Sequence, residues 1–376
     1  MLEKMLQDTN IRVAHVITGL DVGGTERSLL SMLPRLEERG ITNCVYCVVG
    51  HGAIGEALVK KGIPVIYLDF KNVFDVFRIS YIFWLELRKN KPDLVVTYLI
   101  HADLFGRIVG CLAGVEKIIS FKRGSLLQWG FLNYLERATG WLVTRYITVS
   151  VELKSFLIEN NHVTPEKIDV VRNGIEMKLY DVSQEARIQS RREFSIDSGV
   201  TVFGVIAKLR KGKGHGELIE AFSGLLNELR NKKIKLLIVG DGEEKEKIEK
   251  QVHDAKIDAE VVITGRRDDV PALLAAIDIF VLPTEYEGMS VALLEAMAAK
   301  KPIITTSIEA NMEMLDSASA IFVEPRNVAD LKSAMERLLK DSDYGDRVAL
   351  NAYKYCLENY SLEKSVERFA KIIKTV

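Results

Sequence analysis

The sequence predicts an α/β protein made of two doubly wound domains. The chain has 376 residues, which exceeds the usual size of a single hydrophobic core. Apolar, β-branched runs alternate with helix-like stretches along its whole length. Most of these runs are continuous rather than alternating, as in strands that are covered on both faces in a parallel sheet. Two successive series of this kind imply two domains.

A polar stretch separates the two series of predicted strands. The first series comprises residues 11–19, 42–50, 64–70, 93–99, 117–122 and 146–150, and the second comprises 201–209, 234–240, 261–265, 279–284, 301–306 and 320–324. The polar stretch, residues 184–194, is interpreted as the crossover between the domains. We therefore expect an N-terminal domain over residues 1–180 and a C-terminal domain over residues 181–360. Ligands of such sheets bind beyond the carboxyl ends of the strands, so the cleft between the domains is the expected site.

The composition is that of an ordinary globular protein. Hydrophobic residues make up 48% of the chain, and 51 basic and 52 acidic residues leave a net charge of -1. This balance lacks the basic excess of a nucleic-acid binder, so we expect no nucleic-acid partner. The first residues contain no apolar signal region, and no uncharged apolar run reaches the ~18 residues that span a bilayer. These features predict a cytoplasmic protein, soluble or at most peripheral on the membrane.

The segment 284–302 is the most informative one for function. It follows a predicted strand, and a helix is expected to begin near Ser290. The amides of Met289, Ser290 and Val291 would then lack partners, and such amides together with the helix dipole form a phosphate site. Gly288 would let a ligand approach the backbone closely.

Two glutamates flank this expected phosphate site. Glu287 lies just before the helix, and Glu295 lies about one and a half turns inside it. A carboxylate can accept hydrogen bonds from both hydroxyls of a vicinal diol, as in ribose. The alternative interpretation is that both are solvated glutamates of an amphipathic helix.

A basic, glycine-rich loop begins the C-terminal series. It follows the strand 201–209 and contains Lys208, Arg210, Lys211 and Lys213. Four cations at the carboxyl end of a strand favour an anionic ligand such as a pyrophosphate. A solvated basic turn is the alternative, and the GxxxxGK[ST] pattern of a Walker A loop is absent.

Candidate residues of the N-terminal half follow its predicted strands. Gly23 and Gly24 lie between the first strand and the first helix, where phosphate-facing turns occur, although a packing turn fits equally well. His101 follows the strand 93–99, and either a ligand-facing or a capping histidine fits that position. Arg123 ends the strand 117–122. Neither a Ser-His-Asp arrangement nor a zinc motif is present, so hydrolase and zinc-site interpretations lack support.

These motifs, in this order, resemble the retaining family-four glycosyltransferases of GT-B fold, of the type that assembles bacterial polysaccharides and other glycans. EGMSVALLEAMA is similar to the family's E-x7-E signature, with Glu287 and Glu295 as its glutamates. LRKGKGHGELIEAF is similar to the lysine loop, with Lys213 at the phosphate-binding position. GGTER resembles the N-terminal GGxE loop, and LIHAD places His101 where the family often has a histidine. Segments 170–176 and 264–284 match the regions around these motifs.

The resemblance implies two Rossmann-like domains that face each other across a cleft, with a last helix at about 361–376 packing back on the N-terminal domain. The donor is expected to be a nucleotide-sugar, specifically a UDP-sugar, and the acceptor a glycan or a lipid-linked glycan. Neither a metal nor a cofactor is expected, and the stereochemistry of the sugar would be retained.

The resemblance also assigns roles to single residues. Lys208 and Lys213 would neutralise the leaving diphosphate, Glu287 would bind the sugar hydroxyls, and His101 would lie near the sugar and the acceptor. The expected donor-binding residues are Gly23, Gly24, Arg123, Asn173, Arg266, Gly288, Met289, Ser290, Val291 and Glu295, with Glu295 on the ribose. Lys208 departs from the family, which usually has an arginine there. Its charge is kept but the bidentate fork is lost, a change that bears on either donor affinity or donor identity and does not exclude activity.

Three alternative functions would each require a different set of residues. A sugar-nucleotide epimerase of the same fold would carry further acid and base carboxylates and no acceptor surface. A non-catalytic, nucleotide-sugar-binding subunit would have lost Lys213 or Glu295, and the chain has both. A dinucleotide dehydrogenase would need GxGxxG after the first strand, where this chain has GLDVGGTE.

An aromatic segment, residues 125–146, is the candidate for contact with an anionic membrane. It contains Trp129 and Phe131 and is flanked by Lys122, Arg123 and Arg145. Such a segment could rest on a lipid surface, and these two aromatic residues are predicted to mediate the contact. A core helix with ordinary aromatic packing is the alternative.

Overall fold

The computed structural model of the protein describes residues 10–21, 23–123, 130–229 and 233–376. The chain forms two compact units. Unit 1 consists of the residues up to Gly174 together with Leu362–Val376, and unit 2 consists of Ile175–Ser361. Trp129 lies outside the described residues, and so does the side chain of Phe131, so the membrane role predicted for these two residues stays a prediction.

Unit 1 contains a seven-stranded parallel sheet in the order β3-β2-β1-β4-β5-β6-β7. Its strands are β1 (Ile11–Ile17), β2 (Ile41–Cys47), β3 (Val65–Tyr67), β4 (Leu94–Tyr98), β5 (Ile118–Lys122), β6 (Arg145–Thr148) and β7 (Ile168–Val170). Its helices are α1 (Gly24–Glu37), α2 (Ala53–Lys60), α3 (Asp75–Asn90), α4 (Ile100–Leu112), α5 (Gly130–Thr139), α6 (Val151–Asn161) and α15 (Leu362–Thr375).

Unit 2 contains a six-stranded parallel sheet in the order β10-β9-β8-β11-β12-β13. Its strands are β8 (Thr201–Ile206), β9 (Ile234–Val239), β10 (Val261–Ile263), β11 (Ile279–Leu282), β12 (Ile303–Thr306) and β13 (Ile321–Val323). Its helices are α7 (Gln184–Glu193), α8 (His215–Glu228), α9 (Lys245–Asp254), α10 (Val270–Ala276), α11 (Val291–Ala298), α12 (Glu309–Met314), α13 (Val328–Lys340) and α14 (Ser342–Asn359). The prediction of two doubly wound α/β domains is confirmed.

The central strands form as predicted because both of their faces are covered. All five residues of β4 are buried. In unit 2, helix α8 places Leu218, Phe222 and Leu225 on one buried face at the i, i+4, i+7 spacing, and the ring of Phe222 lies 6.2 Å from that of Phe203 on β8. The continuous apolar runs therefore reflect strands buried between layers of helices.

The last helix, α15, belongs to unit 1. It packs on α1, where Arg35 lies 3.3 Å from a carboxylate oxygen of Glu363 and Arg39 lies 2.5 Å from the other. On its buried face, Phe369 meets the ring of Phe121 edge-on at 5.3 Å. The chain thus returns to its first unit after unit 2 is complete.

The polar stretch that was predicted to be an interdomain crossover is instead helix α7 of unit 2. Arg187 and Arg191 each donate to a carboxylate oxygen of Asp278, which precedes β11. Both arginines also donate to backbone carbonyls at the end of α10. The prediction was wrong because this helix is anchored by charged side chains rather than by an apolar face.

Each sheet has one topological switch point, where the strand order reverses. In unit 1 this point lies between β1 and β4, and in unit 2 it lies between β8 and β11. Loops that leave two such strands diverge, which opens a crevice at the carboxyl edge of the sheet. No helix within the described ranges is long and apolar enough to cross a membrane.

Candidate active site

Two loops meet at the switch point of unit 2. Residues 207–214 follow β8, and residues 283–290 follow β11. The amide of Glu285 donates to the carbonyl of Gly212 at 2.8 Å, and the hydroxyl of Thr284 donates to the same carbonyl at 3.2 Å. The lysine loop, residues 207–214, and the glutamate loop, residues 283–290, are therefore joined through the backbone.

Two glycines make this close approach possible. Gly212 has φ +80°, and a Cβ on it would lie 2.2 Å from the ring of Tyr286. Gly214 has φ +73°, and a Cβ there would lie 2.0 Å from the carbonyl oxygen of Pro283. Because φ in this range also strains other residues, both positions require glycine.

Lys213 and Glu287 form the central ion pair of this site. The Lys213 Nζ lies 2.5 Å from Oε1 of Glu287, and it also donates to the carbonyl of Tyr286 at 3.4 Å. Both side chains are largely withdrawn from solvent, with 7% of Lys213 and 16% of Glu287 exposed. The two motifs predicted from the sequence thus place their charged groups in contact.

His215 lies next to Lys213 at the start of α8. Burial, together with the smaller effect of the nearby Lys213 charge, lowers the pKa of its imidazole to about 4. The ring is therefore neutral at pH 7, and its buried Nε2 has no hydrogen-bond partner among the described residues. Sequence reasoning gave this histidine no role.

Helix α11 begins at the same switch point. Ser290 is its N-cap, and its side chain accepts a hydrogen bond from the amide of Leu293 at 3.3 Å. The first helical residue is Val291, so the amides of Val291 and Ala292 are those without an intrahelical acceptor. Met289, which was expected to contribute an amide to the helix terminus, precedes the cap and is buried.

Glu295 is buried one turn further along α11, with 5% of its surface exposed. Its Oε1 accepts a hydrogen bond from the hydroxyl of Tyr180 at 3.0 Å. Glu295 and Glu287 are both too little exposed to be solvated residues of an amphipathic helix, so that alternative interpretation is excluded. Tyr180 was missed because it is far away in the sequence and stands in no recognisable motif.

A third loop, residues 240–244, packs against the lysine loop. Leu209 accepts a hydrogen bond from the amide of Glu244 at 2.9 Å, and its own amide donates to the carbonyl of Asp241 at 3.0 Å. Gly240 packs so closely that a Cβ would lie 1.9 Å from the carbonyl oxygen of Ala207. The segment IVGDG therefore shapes the site through its backbone.

Lys208 and Arg266 lie on the same edge of the sheet. Lys208 follows β8, Arg266 follows β10, and both side chains are exposed. They add positive charge around the crevice that Lys213 occupies. Gly288 is buried in the loop between Glu287 and the α11 cap.

In unit 1, Gly23 is the N-cap of α1 and Gly24 is its first residue. The carboxylate of Glu26 lies against Gly23, where a Cβ would come within 2.3 Å of Oε2. An anion placed at this helix terminus would meet a like charge. The carboxylate already interacts with the positive end of α1.

His101 and Arg123 also lie on the carboxyl edge of the unit 1 sheet. His101 is exposed in the first turn of α4, after Leu99, which has φ +63°. Arg123 donates to Oδ1 of Asn173 at 2.9 Å and stacks over the ring of Phe121 at 4.1 Å. Burial lowers the pKa of Arg123 to about 10. Two of the expected donor-binding residues, Arg123 and Asn173, are therefore in direct contact.

Asp103 and Lys122 do not reach this edge. They are buried with Arg107 and Glu136 in a cluster of four charges, in which Lys122 contacts both carboxylates and Arg107 is paired with Asp103. Burial alone would raise the pKa of Asp103, but the two cations outweigh it and hold the pKa well below its usual range. Lys122 was expected to be a surface cation beside the segment 125–146. This expectation is wrong, because its ammonium group is buried and contacts the carboxylates of Asp103 and Glu136.

Comparison with known proteins identifies glycosyltransferases over both halves of the chain. Residues 22–179 match the family model described as Glycosyltransferase Family 4, and residues 186–355 match the model described as Glycosyl transferases group 1. Among individual relatives, the Escherichia coli UDP-Gal:alpha-D-GlcNAc-diphosphoundecaprenol alpha-1,3-galactosyltransferase is 25% identical over 312 residues, which are 80% of this chain and 78% of that protein. The capsular polysaccharide biosynthesis glycosyltransferase CapM of Staphylococcus aureus is 25% identical over 289 residues, 74% of this chain and 75% of that one.

The fold is shared with solved structures. Anabaena Alr3699/HepE, solved in complex with UDP and glucose, superposes with a TM-score of 0.87 at 18% identity, over 97% of this chain and 100% of that chain. This likeness shows the architecture, which is GT-B with two Rossmann-like sheets. Since the two family models together cover most of the chain, the protein belongs to the glycosyltransferases of family four and group 1.

Proposed function

We propose that the protein is a retaining enzyme that transfers a sugar from a UDP-sugar to a glycan or lipid-linked acceptor without a metal ion. Sugar transfer follows from the family. The name of the E. coli relative specifies UDP-galactose and a diphosphoundecaprenol-linked acceptor, and the Anabaena structure contains UDP and glucose. These names support the UDP donor and the acceptor class for this chain.

The observation that carries the proposal is the contact between Lys213 and Glu287 at the switch point. In the structure, the carboxylate of Glu287 balances the ammonium charge of Lys213. When the diphosphate of the donor binds, its greater negative charge replaces Glu287 as the partner of Lys213. Glu287 can then accept hydrogen bonds from the hydroxyls of the transferred sugar. Lys213 thus contacts the phosphate side of the sugar–phosphate bond that breaks, and Glu287 contacts the sugar side.

The proposed reaction needs charge stabilisation more than proton transfer by the protein. The acceptor oxygen bonds to the anomeric carbon, and the sugar–phosphate bond breaks with its electron pair passing to the diphosphate. Lys213, Lys208 and the first amides of α11 stabilise the growing negative charge, which is the work that a metal ion does elsewhere. The leaving phosphate takes the proton of the acceptor hydroxyl.

The remaining predicted residues have binding roles in this proposal. Glu295, oriented by Tyr180, holds the ribose hydroxyls. Arg266 adds to the charge around the diphosphate. Of the unit 1 residues, we assign His101 to the sugar and the acceptor, and Arg123 and Asn173 to donor binding. The Gly23-Gly24 turn is assigned to an uncharged part of the donor, because Glu26 would repel an anion there.

The proposal includes a cytoplasmic protein that attaches peripherally to the membrane. A lipid-linked acceptor such as the one named for the E. coli relative is held at a membrane surface, so an enzyme acting on it gains by staying there. Fractionation of cells that express the protein, with a salt wash of the membrane fraction, tests this part directly.

Donor binding without metal is tested by thermal unfolding in EDTA. UDP, UDP-glucose and UDP-galactose are compared with ADP and GDP, and a donor at 100 times its Kd should stabilise the fold by about 2.7 kcal/mol. The Lys213→Ala variant should lose most of this shift. A strict requirement for magnesium or manganese would contradict the proposal.

Stereochemistry is tested on the product. The protein is incubated with the donor that binds best and with a glycan or lipid-diphosphate acceptor, and the anomeric proton of the product is followed by NMR from the first turnover. An α-linked product from an α-linked donor is expected. A β-linked product would overturn the retaining mechanism and leave the donor site intact.

A further inference from the structure

Helix α3 of unit 1 exposes bulky apolar side chains to solvent. Phe74, which is its N-cap, is 87% exposed, Phe77 is 85% exposed and Tyr81 is 62% exposed. Their spacing of three and four residues puts them on one side of the helix, and Leu85 continues the row. The opposite side, with Ile79, Phe83 and Leu87, is buried in the core. The helix is therefore apolar on two faces, and unit 1 covers one of them.

The neighbouring helix α4 extends this surface. Leu112 at its end is 72% exposed, and its carbonyl accepts a hydrogen bond from Nε1 of Trp84 at 3.3 Å. The rings of Trp84 and Tyr81 stack with 6.2 Å between their centroids. We define the α3 face as the exposed side chains of Phe74, Phe77, Tyr81, Leu85 and Leu112 together with the half-buried ring of Trp84. Contiguous apolar surface of this kind marks an interaction site.

Basic side chains border the α3 face. Arg78, Arg88 and Lys89 are exposed on the same helix, at the positions that adjoin the aromatic row. Arg88 lies over the ring of Trp84 at 5.8 Å, so its charge stands directly beside the apolar surface. The carboxylate of Asp75 forms a salt bridge with Arg78 at 3.2 Å and accepts hydrogen bonds from the amides of residues 71 and 72. The pair of Asp75 and Arg78 has no net charge, so Arg88 and Lys89 make the border positive.

Aromatic and aliphatic side chains bordered by arginine and lysine fit an anionic lipid surface. The rings enter the region between headgroups and acyl chains, while the cations meet the lipid phosphates. A second copy of the chain fits less well, since a two-fold contact through the same face would set the cations of one copy against those of the other. We propose that the α3 face docks the protein on an anionic phospholipid bilayer.

This docking surface is different from the aromatic segment 125–146 that the sequence suggested. It consists of described residues, and Arg78, Arg88 and Lys89 beside it are exposed, whereas Lys122 of the earlier candidate is buried. Docking rests on this surface and not on sugar transfer, so it can be tested without donor or acceptor.

The test is sedimentation of the full chain with vesicles of phosphatidylcholine, with and without phosphatidylglycerol. The wild type should bind the vesicles that contain phosphatidylglycerol and bind pure phosphatidylcholine much less. Phe74→Ser with Phe77→Ser should lower the partition coefficient by at least about tenfold, because two large apolar side chains no longer enter the lipid. Leu357→Ser in unit 2, where the side chain is 50% exposed, is the matched control and should bind like the wild type.

A second variant tests the charges. Arg78→Gln with Arg88→Gln and Lys89→Gln should weaken binding to the anionic vesicles and flatten its dependence on salt. Thermal unfolding with and without UDP shows whether each variant keeps its fold and its donor site. Docking through the α3 face is overturned if the Phe74 and Phe77 variant binds like the wild type. It is also overturned if light scattering shows that the same variant converts a dimer into a monomer while vesicle binding persists.

Discussion

The Nζ of Lys213 lies 2.5 Å from Oε1 of Glu287, although the two residues are 74 positions apart in the sequence. Each residue belongs to a different loop, and the two loops are held together by hydrogen bonds to the carbonyl of Gly212. The pair therefore depends on the backbone geometry of both loops. In the proposed reaction, it opens when the diphosphate arrives.

Lys213→Ala should lower kcat by about 10²-fold or more. The ammonium group faces charge that grows as the sugar–phosphate bond breaks, and an interaction that strengthens in the transition state acts on kcat. Steady-state kinetics with varied donor at saturating acceptor measure the effect. Lys213→Arg, which keeps the charge, should recover part of the rate. An unchanged kcat in Lys213→Ala would remove this residue from the chemistry.

Glu295→Ala should weaken donor binding by roughly 1–3 kcal/mol with a smaller effect on kcat, because the ribose that it holds does not change during the reaction. Isothermal titration with UDP gives the affinity directly. Tyr180→Phe, which removes only the 3.0 Å hydrogen bond to this carboxylate, should have a weaker effect in the same direction. A collapse of kcat with intact UDP affinity would show that the roles assigned to the two glutamates are wrong.

Gly212→Ala should destabilise unit 2 more than Gly199→Ala does. Both glycines have left-handed φ, of +80° and +85°, so each substitution carries the same backbone strain of about 1–2 kcal/mol. Only Gly212 also faces a ring, that of Tyr286, whereas nothing lies within 4 Å of a Cβ on Gly199. Urea unfolding should show that Tyr286→Ala relieves part of the Gly212→Ala cost. Equal costs at the two glycines would contradict the close packing of these loops.

Stability should fall between about pH 6.5 and pH 4, in part because of His15. Its ring is buried between Tyr98 and Asn43, and burial lowers its pKa from 6.5 to about 4. As the pH falls below 6.5, His15 becomes protonated in the unfolded chain but stays neutral in the folded chain until about pH 4. The free energy of unfolding is therefore highest above pH 6.5 and declines below it, by up to about 3 kcal/mol.

Urea unfolding at pH 7 and pH 5 measures this decline. His15→Gln should reduce it, whereas His253→Gln should not, because the side chain of His253 is 80% exposed. The same decline in His15→Gln as in the wild type would assign the pH dependence to other groups.

The strands were predictable because burial on both faces leaves continuous apolar runs in the sequence. The exception is β7, Ile168–Val170, where Asp169 interrupts the apolar run. Helix α7 escaped prediction for the opposite reason, since Arg187 and Arg191 hold it through Asp278 and leave no apolar periodicity.

The positions of Lys213, Glu287 and Glu295 in the sequence followed from motif spacing, but their contacts did not. Spacing along the chain indicates which strand or helix carries a residue, and it gives no distance between loops that follow different strands. The partners Tyr180 and Glu136 are therefore known only from the fold. Lys122 illustrates the same limit, because a lysine at the end of a strand has the same sequence signature whether it faces solvent or a buried carboxylate.

The bracing of the lysine loop by residues 240–244 has a practical consequence for engineering. The shape of the lysine loop is fixed by main-chain hydrogen bonds of Leu209 and Gly212 and by close backbone contacts. The side chains of Lys208, Lys211 and Arg266, by contrast, are exposed. A library that randomises these three exposed positions would leave the scaffold of the donor site in place. Directed evolution of donor preference can therefore begin there, with the glycines kept constant.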